Sequence, residues 1–89
     1  MLLEFLGGLE LHCPEGRTKI ELPDTDTLVQ GIPRLAGGFL NKPELLVDEQ
    51  GNLQDGILFL INDADATLYE DEMVRAGAKL VFISMLHGG

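Results

Sequence analysis

The chain closes on Lys79-Leu80-Val81-Phe82-Ile83-Ser84-Met85-Leu86, an apolar run rich in β-branched and aromatic residues, and passes directly into His87-Gly88-Gly89. The run reads as a strand, and no polar linker separates it from the glycines. Gly lacks Cβ and adopts backbone conformations closed to other residues. A strand ending this way can therefore be drawn through a narrow channel, presenting the Gly89 carboxylate to another enzyme's active site. The competing reading is a frayed end or an expression scar. Chance places Gly at both final positions in only about one chain in 200 at ordinary Gly usage.

The 89 residues suit one domain, and a chain of this size buries between roughly 60% and 70% of its unfolded surface. With four Phe, one Tyr and no Trp, the core must be built mainly from Leu, Ile and Val. Fifteen acidic against six basic residues give a formal charge of −9, which repels phosphate backbones and argues against direct nucleic-acid binding. The same charge favours basic partner surfaces, although a merely solvated acidic surface explains it equally well. Cys13 is the single cysteine, so no intramolecular disulfide forms and a reducing compartment is expected, the cytoplasm or nucleus. Glu4 breaks the apolar start Met1–Leu6, which has no basic flank and does not read as a signal peptide. No apolar run reaches the ~18 residues of a membrane span.

Leu3 and Phe5 alternate with Glu4 in a first strand over residues 2–6, which Gly7-Gly8 interrupts as a bulge or close backbone approach would. Leu9-Glu10-Leu11 is expected to resume it. After the turn Cys13-Pro14-Glu15-Gly16, Thr18, Ile20 and Leu22 share one face of a second strand, which completes an N-terminal hairpin. Pro23-Asp24-Thr25-Asp26 is a helix-start cluster. Leu28, Val29, Ile32, Leu35, Ala36, Phe39 and Leu40 follow near helical spacing. Pro33 interrupts that pattern, at ~3 kcal/mol for an interior position. Either the helix is kinked, or a short turn precedes a second helix with Pro33 at its first position. Gly37 or Gly38 is the expected cap. A polar connection over 41–56 leads to an apolar strand at Ile57–Ile61, a turn at Asn62-Asp63, a short edge strand at Thr67-Leu68-Tyr69 and an acidic helical turn from Glu70 to Ala76. The expected class is α+β, a mixed sheet of four to five strands crossed by one kinked helix. Residues 1–84 are expected to form the domain and 85–89 a flexible tail ending in diglycine, with the first and last strands expected at the centre of the sheet.

Several stretches carry the chain beyond this class. Gly56-Ile57-Leu58-Phe59-Leu60-Ile61-Asn62-Asp63-Ala64-Asp65 and Leu80-Val81-Phe82-Ile83-Ser84-Met85-Leu86-His87-Gly88-Gly89 resemble the eukaryotic ubiquitin-related modifier family, and Phe5-Leu6-Gly7-Gly8 and Pro43-Glu44-Leu45-Leu46 match in order. Ala66 departs from a Trp in that pattern, and the segment between Asp65 and Leu80 is somewhat shorter. The resemblance implies a ubiquitin-like β-grasp fold and a sulfur carrier, not an enzyme. An E1-like adenylating and sulfurtransferase enzyme would use ATP to activate the Gly89 carboxylate, and sulfur transfer would yield a thiocarboxylate. A tRNA thiolase complex would spend that sulfur on 2-thiolation of the wobble uridine. The family is also implied to join lysines of target proteins. His87 and Gly88, with Leu86, would thread the activating enzyme's channel. The carrier itself is expected to be a monomer with no bound cofactor or metal and no membrane association. A purely conjugated tag and a non-covalent β-grasp module are the alternatives.

Other constellations carry less. Asp63-Ala64-Asp65 opens like a calcium loop, yet Leu68 and Val74 occupy the positions where Gly and Glu are required. His12-Cys13 lacks the further ligands of a metal site, so Cys13 reads as structural. Glu70-Asp71-Glu72 reads as a solvated face. With two His and one Cys, no nucleophile–base arrangement can be assembled. Strand alternation sets Leu80 and Phe82 on one face and Val81 and Ile83 on the other. Since a single helix covers one face, Val81 and Ile83, with Leu86, are expected in an exposed apolar patch that docks the activating enzyme. Folding of the 41–56 connection over them is the alternative.

Overall fold

Alternation at the two ends of the chain puts Leu3 and Phe5, and Leu80 and Phe82, on one face of a shared sheet, where all four are fully buried. The computed structural model describes residues 1–85. Its strands are β1 (Leu2–Leu6), β2 (Lys19–Glu21), β3 (Ile57–Ile61), β4 (Ala64–Asp65) and β5 (Lys79–Ser84), with a single helical turn and a half, α1 (Ile32–Gly37). They form a five-stranded sheet in the order β2-β1-β5-β3-β4. β5 runs parallel to β1, with Leu3 opposite Leu80 and Phe5 opposite Phe82. It runs antiparallel to β3, with Phe59 opposite Phe82 and Ile61 opposite Leu80. The strongest apolar run thus occupies the centre of the sheet.

That register stacks three rings across the middle of the core. Phe59 and Phe82 lie with centroids 4.3 Å apart, and Phe5 lies 6.0 Å from Phe82 on the other side. Ile32 and Ala36 of α1 press onto this face, joined by Leu40 and Leu46. The 41–56 connection also belongs here. Leu46 is fully buried and Val47 and Leu53 pack against the same core, while Asp48 closes the turn by accepting the N–H groups of Gln50 and Asn52 at 2.9 Å each. The connection therefore covers the helix side of the sheet and leaves the opposite face to itself.

Four local expectations change. Leu9–His12 is a 3₁₀ turn and does not resume β1. Gly7 and Gly8 are both left-handed, at φ 72° and 109°, and turn the chain off the sheet; the Gly8 N–H is then taken by the Glu10 carboxylate. No helix starts at the 23–26 cluster: helical structure begins as a 3₁₀ turn at Val29–Gly31 that passes into α1 with Pro33 in its first turn, the second of the two expected arrangements. Pro33 supplies no N–H there and none is required. Thr67-Leu68-Tyr69 lies in a 3₁₀ turn, Ala66–Tyr69, because the Asp65 carboxylate caps it through the Thr67 N–H (3.0 Å) and hydroxyl (2.9 Å). The edge strand falls instead at β4, joined to β3 by Asn62 and Asp63, both at positive φ, as a two-residue hairpin turn requires. Finally, 70–76 is not helical. It runs beside 27–30, where Val29 donates to Glu72 (2.8 Å) and Val74 to Thr27 (3.1 Å), and Leu28 bridges Met73.

Candidate functional site

The root of the C-terminal segment is gripped from both sides. On one side β1 ends at Leu6 opposite Ile83, and the next residue, Gly7, lies against the backbone of Ser84. On the other, β3 begins at Ile57 opposite Ser84, and the Met85 N–H donates to the Gly56 carbonyl at 2.7 Å, which extends the pairing one residue past β5. Gly56 has φ 83°. Glycines with left-handed backbone therefore flank the strand at the level where it ends. Met85 is 62% exposed, and Gly89 lies four residues further along the sequence. Leu86, His87, Gly88 and Gly89, the residues expected to carry and thread the reacting carboxylate, lie outside the described residues.

Of the two docking residues expected on the far face of β5, the structure separates one from the other. Val81 is only 4% exposed although it is not part of the helix-side core. Its register neighbours are Glu4 on β1 and Leu60 on β3, so a central strand position is covered by side chains on both flanks. Lys19 reaches Glu4 at 4.0 Å beside it. Val81 is thus a packed residue of the outer face and not an exposed contact. Ile83 is half-buried, opposite Leu58 on β3 and Leu6 on β1, and Leu6 is 37% exposed. The accessible apolar surface is Leu6, Leu58, Ile83 and Met85, next to the point where the chain leaves the sheet. Leu6, Leu58, Gly7 and Gly56 were not among the sequence candidates. Their signal was present in part, since an interruption by Gly7-Gly8 at the end of β1 is what a close backbone approach produces.

The remaining polar groups serve the fold. Cys13 is buried, and burial, followed by the negative charge of Glu10, holds its thiol above the ordinary value of 9.0, which keeps the reactive thiolate scarce. Asp63 belongs to the hairpin turn and pairs with Lys79 at 3.5 Å. Among the described residues, no group of three or more His, Cys, Asp and Glu side chains is placed to hold a metal ion.

A mixed sheet with its first and last strands parallel at the centre, one short helix across a single face, and the final strand carried out to solvent defines a ubiquitin-like β-grasp protein. The solution structure of Urm1 from Trypanosoma brucei superposes with a TM-score of 0.72 at 34% identity, over 99% of this chain and 93% of that one. The crystal structure of Urm1 from Sulfolobus solfataricus gives the same TM-score at 24% identity, over 94% of this chain and 99% of the other, a likeness of fold. Ubiquitin-related modifier 1 of Sclerotinia sclerotiorum is 33% identical over all of this chain and 93% of its own length. The homologue from Chlamydomonas reinhardtii is 37% identical over 98% of this chain and 95% of its own. The family model for Urm1 (Ubiquitin related modifier) matches residues 1–89, and the chain belongs to the ubiquitin-related modifier family.

Proposed function

We propose that this ubiquitin-like modifier is a sulfur carrier whose Gly89 carboxylate is activated by an E1-like enzyme and converted to a thiocarboxylate. The observation that carries the reading is the position of Met85, exposed and directly after the central strand of the sheet. A carboxylate is a poor electrophile at neutral pH. Its oxygen attacks the α-phosphorus of ATP on the activating enzyme and displaces pyrophosphate. Sulfur at the sulfide level then attacks the carbonyl carbon, the bond to the phosphate oxygen breaks, and AMP leaves. The thiocarboxylate sulfur attacks C2 of a wobble uridine whose O2 a separate tRNA thiolase complex has adenylated, AMP departs with that oxygen, and hydrolysis of the acyl–sulfur bond returns the Gly89 carboxylate. That division of labour suits a chain with a formal charge of −9, which need not touch RNA. Attack by a lysine amine on the same activated carbonyl would instead join the chain to a target protein. The Leu6–Leu58–Ile83 surface supplies the docking contact. We place the reaction in the cytoplasm, where Cys13 stays reduced.

Removal of Gly89 tests the reading. The truncated chain should keep its fold, form no thiocarboxylate and fail to support tRNA thiolation in cells that carry no other copy; normal thiolation there would refute it. Intact mass alone is insufficient, because exchange of oxygen for sulfur resembles a single oxidation of Met or Cys13 in mass. Tandem fragmentation must place the sulfur on Gly89. Lysine-linked adducts without sulfur on the free protein would favour a purely conjugated tag.

A further inference from the structure

Gly7 differs from Gly8, Gly16 and Gly77 in what surrounds it, and from Gly51, where an added Cβ would lie 2.6 Å from Arg34 Nε, in that its neighbours include backbone and not only the end of a flexible side chain. Gly8, Gly16 and Gly77 have φ 109°, 71° and 74°, and a Cβ added to any of them would meet nothing within 4 Å. At Gly7, with φ 72°, the same atom would lie 2.2 Å from the Ser84 carbonyl oxygen, 2.9 Å from the Ser84 nitrogen and 3.1 Å from Ile83 Cγ2. Two of the three are backbone atoms of the strand end, which cannot swing aside as a side chain can. Relief of the shortest contact needs at least about 0.8 Å, the gap between 2.2 Å and the 3.0 Å below which real Cβ contacts are essentially never found. Gly7 itself is exposed and outside the core, so a side chain there empties no cavity and strands no buried polar group. What must yield is the spacing between the end of β1 and Ser84.

We propose that Gly7 is a positioning residue for activation of the C-terminus. Its missing Cβ lets β1 close onto Ser84 and thereby sets the point and direction at which the chain leaves the sheet toward Gly89. The Met85–Gly56 hydrogen bond on the opposite side fixes the second edge of that exit. A shift imposed from the Gly7 side either breaks that bond or tilts the strand end against it. A shift there moves Ile83, Ser84 and Met85, from which the sequence continues to Gly89, and misplacement by about 1 Å can cost 10²-fold in rate where reacting groups must be aligned. This inference rests on Gly89 being the activated residue.

The test compares Gly7→Ala with Gly77→Ala in the full chain, using ATP–pyrophosphate exchange by the cognate E1-like enzyme. Both variants force a side chain onto positive φ, but only the first presses on β5. Both should lose melting temperature. Gly7→Ala should lose about 10²-fold in kcat, over and above any rise in KM from displacement of Ile83 in the docking surface, and Gly77→Ala should keep both its kcat and its KM. A second readout needs no enzyme. Backbone amide shifts in Gly7→Ala should concentrate at Ile83, Ser84 and Met85, and in Gly77→Ala they should leave those residues unmoved. Equal kcat in the two variants, shifts spread evenly over the sheet, or a Gly7→Ala chain that does not fold would each overturn the proposal by making Gly7 a structural residue only. A wild-type chain that supports no exchange would instead remove the functional reading beneath it, which separates the two failures.

Discussion

Asp24 shows how one exposed carboxylate ties distant segments together. It accepts the Gly77 N–H at 3.2 Å and pairs with the Met1 ammonium at 3.2 Å, linking the start of the chain to the turn before β5. The Gly77 hydrogen bond, then the one from the ammonium, hold its carboxyl below the ordinary value of 3.8. A carboxylate with a depressed folded-state pKa contributes stability above its unfolded value and loses it as pH falls through the folded one. Asp24→Asn should therefore lower the melting temperature at neutral pH. The gap from wild type should close as acid is added and vanish below the depressed value. A gap that stays constant across the acid titration would show that the charge on Asp24 is not what matters.

At the scale of elements, the three stacked rings are the strongest link between strands. Phe82 belongs to the central strand and touches rings from both neighbours, so Phe82→Ala should cost about 3–5 kcal/mol, the range for large aromatic truncations in a packed core. Chemical denaturation would measure it. Loss of less than about 1 kcal/mol, the scale of an ordinary surface effect, would mean the rings do not join the strands. The apolar runs at 57–61 and 79–84 announced these two strands in the sequence because burial leaves a composition that no loop shares. Pro33 likewise marked the first turn of a helix, since its lost N–H matters only further along. Short edges were harder to read. Whether Leu9-Glu10-Leu11 continued β1 depended on both preceding glycines taking positive φ, and Thr67-Leu68-Tyr69 turned helical because Asp65 capped it. Val81 shows the limit of alternation. It assigns a residue to a face, but the side chains that cover it, Glu4 and Leu60, come from strands far away in sequence.

For the whole molecule, Leu6, Leu58 and Ile83 form an apolar group beside Met85 on a chain with a formal charge of −9. Leu6→Asp, at the more exposed of these positions, should raise KM for the activating enzyme about tenfold, the loss of one good interface contact at roughly 1.4 kcal/mol, with the melting temperature nearly unchanged. An unaltered KM in a folded variant would move the docking surface elsewhere. The strand order carries a last consequence. β5 alone connects the β2–β1 pair to the β3–β4 pair, so during synthesis the first strand must wait for the last before the sheet can close. Such non-local closure is slow. It also acts as a check on completeness: a nascent or truncated chain lacking β5 cannot join the two halves of the sheet, so a copy with the full sheet already has β5 in place.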